Sequence, residues 1–175
     1  MDTNPKHAWF KITKGAIIFI FIYYILLLTI SASILFTQLS VKLNSPEVIT
    51  FTNTIFCSIF LSIIGAATFY IRKLYKACIN LDVNQPKEES DKIRQIGVIF
   101  YFLLRPVFAI VFSILIIIAT KSGVGLLSEG NLNSVRFFYY CLLISFFTGY
   151  SCGRFLDNME KIKDKIAEKL TDIKF

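Results

Sequence analysis

The sequence has few of the residues from which most active sites and metal centres are built. It contains one histidine, His7, and four cysteines that form no Cys-x-x-Cys pair and no metal-ligand spacing. Both features argue against a metal site within one chain, and we expect no metal and no cofactor. A Ser-His-Asp set cannot be assembled either, so the sequence predicts a protein that is not an enzyme.

Acidic residues are absent from four long apolar runs. The charged share of the 175 residues is 18% and the apolar share 55%, against about 25% and about 45–50% in soluble domains. A helix needs roughly 20 apolar residues to cross the hydrocarbon, so each run predicts a membrane span, the fourth only just long enough. Spans without carboxylates argue against a proton-coupled transporter. The predicted spans are 15–38, 48–71, 96–120 and 137–153.

The first apolar run has some features of a secretory signal peptide. It follows Lys6, Lys11 and Lys14, and it contains small residues at 31–33. Its apolar stretch is longer than the roughly 7–15 residues of a signal sequence and continues past those small residues. An uncleaved membrane anchor is therefore the preferred interpretation.

Basic residues are distributed unevenly among the connections. Fifteen lie in the N-terminal segment, the 72–95 connection and the tail from Arg154, whereas three lie in the two other connections. Lys and Arg resist translocation, so both termini and the middle connection are predicted to face the cytoplasm. The expected fold class is all-α: one domain, 1–175, forming a four-helix transmembrane bundle with cytoplasmic helical extensions.

Arg105 is the one ionisable side chain inside a predicted span. An arginine at the bilayer centre costs about 2.5–3.5 kcal/mol on insertion scales. Two interpretations stay open: the guanidinium snorkels to the cytoplasmic headgroups, or it lies in a bundle cavity and binds an anion, a lipid phosphate or a partner. With no carboxylate in the spans, we expect its contacts to be carbonyls, Tyr101, Tyr150, water or an external anion. Pro106 follows it, frees the carbonyl of Phe102 and predicts a kink.

Small residues recur every fourth position in the second and fourth spans. Residues at this spacing share one helix face and let helices approach closely, within the chain or between subunits of a homo-oligomer. In a second interpretation, the hydroxyl row of the second span lines a wet path through an oligomeric pore. The rows are Thr54, Ser58, Ser62 and Ala66, and Cys141, Ser145, Gly149 and Gly153.

The tail 154–175 carries apolar residues at heptad-like spacing, which predicts an amphipathic helix that continues the fourth span. Its stripe includes Met159, Ile162 and Ile166 and needs a partner to cover it. The candidates are the same tail in neighbouring subunits, the 72–83 segment, a cytosolic protein, or the anionic inner leaflet.

A cluster of basic residues follows the second span. Arg72, Lys73 and Lys76 lie within about one turn and are expected to anchor the helix end at the cytoplasmic surface. They also form a candidate interaction surface. Acidic residues nearby, from Asp82 to Asp91, argue against direct nucleic-acid binding.

Two short blocks stand out in the C-terminal half. One is Leu-Leu-Arg-Pro-Val-Phe-Ala at 103–109, and the other is Phe-Phe-Thr-Gly-Tyr-Ser-Cys-Gly-Arg-Phe at 146–155. Together they resemble a family of small bacterial four-span membrane proteins. One branch of that family accompanies the RNA-guided RNase of type VI-B CRISPR systems and is regarded as dampening or modulating it. The positions carried over by the resemblance are Arg105, Pro106, Gly149 and Ser151.

Three functions are consistent with the sequence. The resemblance implies a non-enzymatic inner-membrane accessory of antiviral defence, whose partners are membrane lipids and a cytoplasmic effector such as the RNA-guided RNase. The hydroxyl row favours an oligomeric pore that permeabilises the membrane. The third function is that of a structural subunit in a larger membrane assembly.

Overall fold

A computed structural model describes residues 10–44, 50–79, 83–84, 89–127 and 135–172. These residues form an all-helical bundle, as predicted, with one short pair of strands. The helices are α1, Lys14–Asn44; α2, Phe51–Ile79; α3, Glu89–Leu127; and α4, Val135–Asp172.

Three of the helices are long and apolar enough to cross a membrane. The stretches within the described residues are Lys14–Val41 in α1, Phe51–Ile79 in α2 and Gln95–Gly123 in α3. For three of the four predicted spans, the structure therefore has a helix with the length and composition that a membrane span requires. The apolar run of α4 is shorter and contains hydroxyl residues and glycines, which lower its hydropathy.

The helices extend beyond the predicted limits of the spans. α1 continues to Asn44 and α3 to Leu127, so the described parts of the predicted connections after the first and third spans, 37–44 and 121–127, are helical. Near the end of α1, Thr37 and Ser40 donate hydrogen bonds of 2.9 and 2.8 Å to carbonyls four residues earlier. Because these hydroxyls are satisfied within the helix, polar residues after the apolar run do not end it.

Two strands of two residues each were not predicted from the sequence. β1, Phe10–Lys11, pairs in parallel with β2, Val83–Asn84. Close by, Nε2 of Gln95 donates to Oγ1 of Thr13 over 2.8 Å. These contacts bring the segment before α1 beside the connection between α2 and α3. We call this end of the bundle the β1–β2 end.

α2 lies at the centre of the bundle. It packs against all three other helices, and its contact with α4 is the most extensive. Half of its most apolar 18-residue window is buried, against 17% of the equivalent window of α1. α1 therefore presents most of its apolar surface outward, where lipid would cover it, and the interior is built around α2 and α4.

Candidate functional site

Arg105 lies where the four helices meet. Only 5% of its surface is exposed, so its side chain is inside the bundle rather than on the outer surface where it would snorkel. We call the residues around this point the Arg105 cluster. Its members are Arg105 and Tyr101 from α3, Tyr24 from α1, Tyr70 from α2 and Cys152 from α4.

Aromatic rings contact the Arg105 guanidinium. Its Cζ is 3.9 Å from the ring centroid of Tyr101, one turn earlier on α3, and 5.8 Å from that of Tyr70. A desolvated cation–π contact is worth about 2 kcal/mol or more, which offsets much of the cost of placing an arginine in the bilayer. Sγ of Cys152 lies 4.0 Å from the Arg105 carbonyl oxygen, a weak thiol contact that joins α4 to the cluster.

Of the two tyrosines that the sequence offers as contacts of Arg105, Tyr101 contacts it and Tyr150 contacts Arg72 and Phe69 instead. The hydroxyl of Tyr150 accepts a hydrogen bond of 3.0 Å from Nη1 of Arg72, and its ring packs edge-on against Phe69 at 5.2 Å. Tyr150 lies on the face of α4 that packs against the end of α2, and not on the face that packs against α3. Tyr70, which the sequence analysis does not single out, is the second tyrosine beside Arg105.

Pro106 lies inside α3, which continues past it without a break. Proline has no N–H group, so it cannot donate to the carbonyl of Phe102 one turn earlier. The hydroxyl of Tyr24 on α1 donates to that carbonyl over 2.5 Å. Tyr23 donates more weakly, over 3.3 Å, to the carbonyl of Leu103. Two adjacent tyrosines within an apolar run are the sequence signal for these contacts, but the run does not identify their acceptors.

Glycines allow close contact between α2 and α4. A methyl group at Gly149 would overlap the carbonyl oxygen of Ser62, and one at Gly65 would overlap that of Phe146. A methyl group at Gly153 would meet the hydroxyl of Tyr70. The structure thus brings Ser62 of one predicted row against Gly149 of the other, and Gly65 was missed because it lies outside the row.

The hydroxyl residues predicted for a pore row are inside the single chain. Thr54, Ser58 and Ser62 have no exposed surface, and Ser145 and Cys141 of the other row are also buried. Ser145 lies on α4 and its Oγ is 2.9 Å from Oγ of Ser113 on α3. These hydroxyls therefore lie at helix–helix contacts of the monomer, not on its outer surface.

The Ser113–Ser145 hydrogen bond predicts a modest stability effect. Ser113→Ala is expected to lower the free energy of unfolding in detergent by about 1 kcal/mol, the usual range for a hydrogen bond between membrane helices. Ser33→Ala is the matched control, because exposed Ser33 bonds only to a carbonyl of its own helix. Equal unfolding midpoints for the two variants would contradict the assignment.

The predicted basic cluster lies at the β1–β2 end. Arg72 and Lys76 are exposed, whereas Lys73 is half-buried with its Nζ 5.6 Å from the ring centroid of Tyr101. Tyr101 thus contacts both Lys73 and Arg105. The side chains of Met159, Ile162 and Ile166 fall outside the described residues, although the backbone there is helical.

The four positions of the family resemblance separate into two groups. Arg105, Pro106 and Gly149 are buried at helix contacts, whereas Ser151 is exposed on α4. Among the described residues, no group of three His, Cys, Asp or Glu side chains could hold a metal ion. No protein-family model, curated protein or solved structure matches the chain significantly.

Proposed function

We propose that the chain is a non-enzymatic accessory protein of the bacterial inner membrane that modulates a cytoplasmic effector of antiviral defence. The class of effector is an RNA-guided RNase of the CRISPR type, as the family resemblance implies. The apolar stretches of α1, α2 and α3 support a membrane protein. The proposal adds α4 as a fourth span and places both termini in the cytoplasm.

The orientation is supported by charge and by contacts at one end of the bundle. Fifteen of the nineteen basic residues lie in the N-terminal segment up to Lys14, in the stretch 72–95 that joins the second and third apolar runs, and in the tail from Arg154. The pairing of β1 with β2 and the contact of Thr13 with Gln95 bring the first two of these regions together. The β1–β2 end is therefore the cytoplasmic end in this proposal.

The continuity of α4 is the observation that carries the proposal. α4 is one helix from Val135 to Asp172, and its last 19 residues follow Gly153, where the apolar run ends. At about 1.5 Å per residue, this part projects roughly 28 Å beyond the apolar run. A rigid charged helix with an apolar stripe offers a cytoplasmic partner a surface that is fixed to the membrane domain.

A pore is less well supported than an accessory. Its proposed lining, Thr54, Ser58 and Ser62, is buried in the chain, and Ser62 contacts Gly149. To line a pore between subunits, these side chains would have to leave the α2–α4 contact.

Deletion of 157–175 tests the proposal in cells that carry the effector. Without the helical extension, phage plaque counts should return to those of cells that have the effector but lack this chain. A second variant keeps the length and charge of the segment but replaces Met159, Ile162 and Ile166 with Ala. This variant should lose modulation as well. Unchanged modulation by the truncated chain at equal membrane levels would contradict the proposal. If the triple-alanine variant modulates normally and the truncated chain does not, the effector contacts the charged face of the helix and not its apolar stripe.

A further inference from the structure

An apolar groove lies between α3 and α4. Its volume is about 670 Å³, within the range of small-molecule pockets, and it is open on one side. Its walls come from 112–119 on α3 and 144–152 on α4. Ser113 lies beside Ser145 and Arg105 beside Cys152, so the two stretches are staggered and the groove is roughly 20 Å long. The hydrocarbon of a bilayer is about 30 Å thick, so the groove extends over about two thirds of it.

The two ends of the groove differ in charge and polarity. At the β1–β2 end the groove reaches Ser151 and Cys152, and Ser151 is exposed. Arg154 follows three residues later on the same side of α4 and is also exposed. At the other end, Nζ of Lys121 is directed to α2, where it lies 4.1 Å from the ring centroid of Phe51.

Acidic residues are absent from both walls. The sequence has no Asp or Glu from 92 to 127 or from 135 to 156, which includes the whole groove and the turn beyond it. A hydroxyl and a cation at one end, without competing carboxylates, suit an anionic phosphate. The apolar walls suit hydrocarbon.

We propose that this groove holds one acyl chain of an anionic phospholipid, with the lipid phosphate at Ser151 and Arg154. In the orientation proposed above, the lipid belongs to the cytoplasmic leaflet. The site gives exposed Ser151 a role that helix packing does not provide. The site is independent of the effector, so it can exist whether or not the chain modulates a defence RNase.

The charges beside the groove favour a lipid over a second copy of the chain. A second copy would place like charges together at Arg154, because the groove has no carboxylate to receive it.

The headgroup part of the proposal can be tested by native mass spectrometry of the full chain in detergent. The probes are phosphatidylglycerol and phosphatidylcholine with the same acyl chains. Wild-type protein should retain one phosphatidylglycerol in preference to phosphatidylcholine. Arg154→Ala should reduce that preference about fivefold, the effect of one basic residue at an anionic lipid surface. Lys76→Ala removes an exposed cation at the same end of the bundle but away from the groove, and it should leave the preference unchanged.

The acyl-chain part is tested by filling the groove. Ala119→Phe adds a ring to the wall of the groove, whereas Val111→Phe adds one to an exposed position on α3 outside it. Ala119→Phe should weaken retention of both lipids at least fivefold, and Val111→Phe should not. Equal retention of the two lipids by the wild type, or normal retention by Ala119→Phe, would overturn the proposal. Displacement of the lipid by dimer formation would overturn it in favour of a second copy. None of these readouts involves the effector, so a failure here is distinguishable from failure of the proposed function.

Discussion

Gly149→Ala is expected to force α2 and α4 apart and to lower the free energy of unfolding by about 3 kcal/mol, the upper end of the range for over-packing. The added methyl group would overlap the backbone carbonyl of Ser62. A side chain could rotate away from such a contact, but a helix backbone cannot. Relief therefore requires a shift of one helix, which also disturbs the close approach at Gly65.

The measurement is unfolding of the purified protein in detergent, followed by far-UV circular dichroism or by denaturant titration. Gly97→Ala is the matched control, because Gly97 is exposed on α3 and a methyl group there meets nothing within 4 Å. In a helix interior, that change should stabilise the protein by roughly 0.5–1 kcal/mol. If both variants unfold at the same denaturant concentration, the α2–α4 contact is looser than described.

A displaced α4 is also expected to weaken the proposed function. The charged extension continues α4, so a displaced helix would present it at a different position relative to the membrane. Gly149→Ala is therefore expected to reduce modulation of the effector more than its loss of stability alone would. Gly97→Ala, which leaves α4 in place, should modulate normally.

Hydropathy was sufficient to predict the helices, but not where they end. The hydrocarbon requires each spanning backbone to satisfy its own hydrogen bonds, so an apolar run of about 20 residues must be helical. Beyond the hydrocarbon this requirement disappears, and hydrogen bonds between neighbouring residues determine where the helix ends. α1 continues to Asn44 for that reason, since Ser40 bonds within its own helix.

Contacts between helices were predictable only in part. A row of small residues indicates a face that packs closely, and Ser62 and Gly149 do lie on such faces. The row does not indicate the partner helix or the register. Gly65 is one position from its row, and its contact with Phe146 follows from how α2 and α4 are aligned.

For Arg105, too, the sequence predicts the kind of contact but not the residue that makes it. The sequence identifies it as the cation within a predicted span and predicts contacts with carbonyls, tyrosines, water or an external anion. The choice of Tyr70 over Tyr150 depends on the rotation of α2 and α4 about their axes. Rotation is set by many side chains at once, and no single spacing in the sequence encodes it.

Tyr24→Phe is expected to lower the free energy of unfolding by about 1–3 kcal/mol, the cost of removing the donor from a buried acceptor. The hydroxyl of Tyr24 donates to the carbonyl of Phe102, which Pro106 cannot serve. Tyr23→Phe is the matched control on the neighbouring residue. Its hydroxyl is 3.3 Å from the carbonyl of Leu103. That carbonyl has a second donor in α3, the N–H group of Val107 one turn later. Tyr23→Phe should therefore lower the free energy of unfolding by less than about 1 kcal/mol.

A double-mutant cycle with Pro106→Ala identifies the physical cause. Alanine restores the N–H group at position 106, so the carbonyl of Phe102 regains a donor within α3. In that background, Tyr24→Phe should cost at least about 1 kcal/mol less than in the wild type. The cost of Tyr23→Phe should be the same in both backgrounds, because its acceptor is Leu103. An unchanged cost of Tyr24→Phe would mean that the hydroxyl of Tyr24 stabilises the bundle for a reason other than the missing N–H group of Pro106, because phenylalanine keeps the ring.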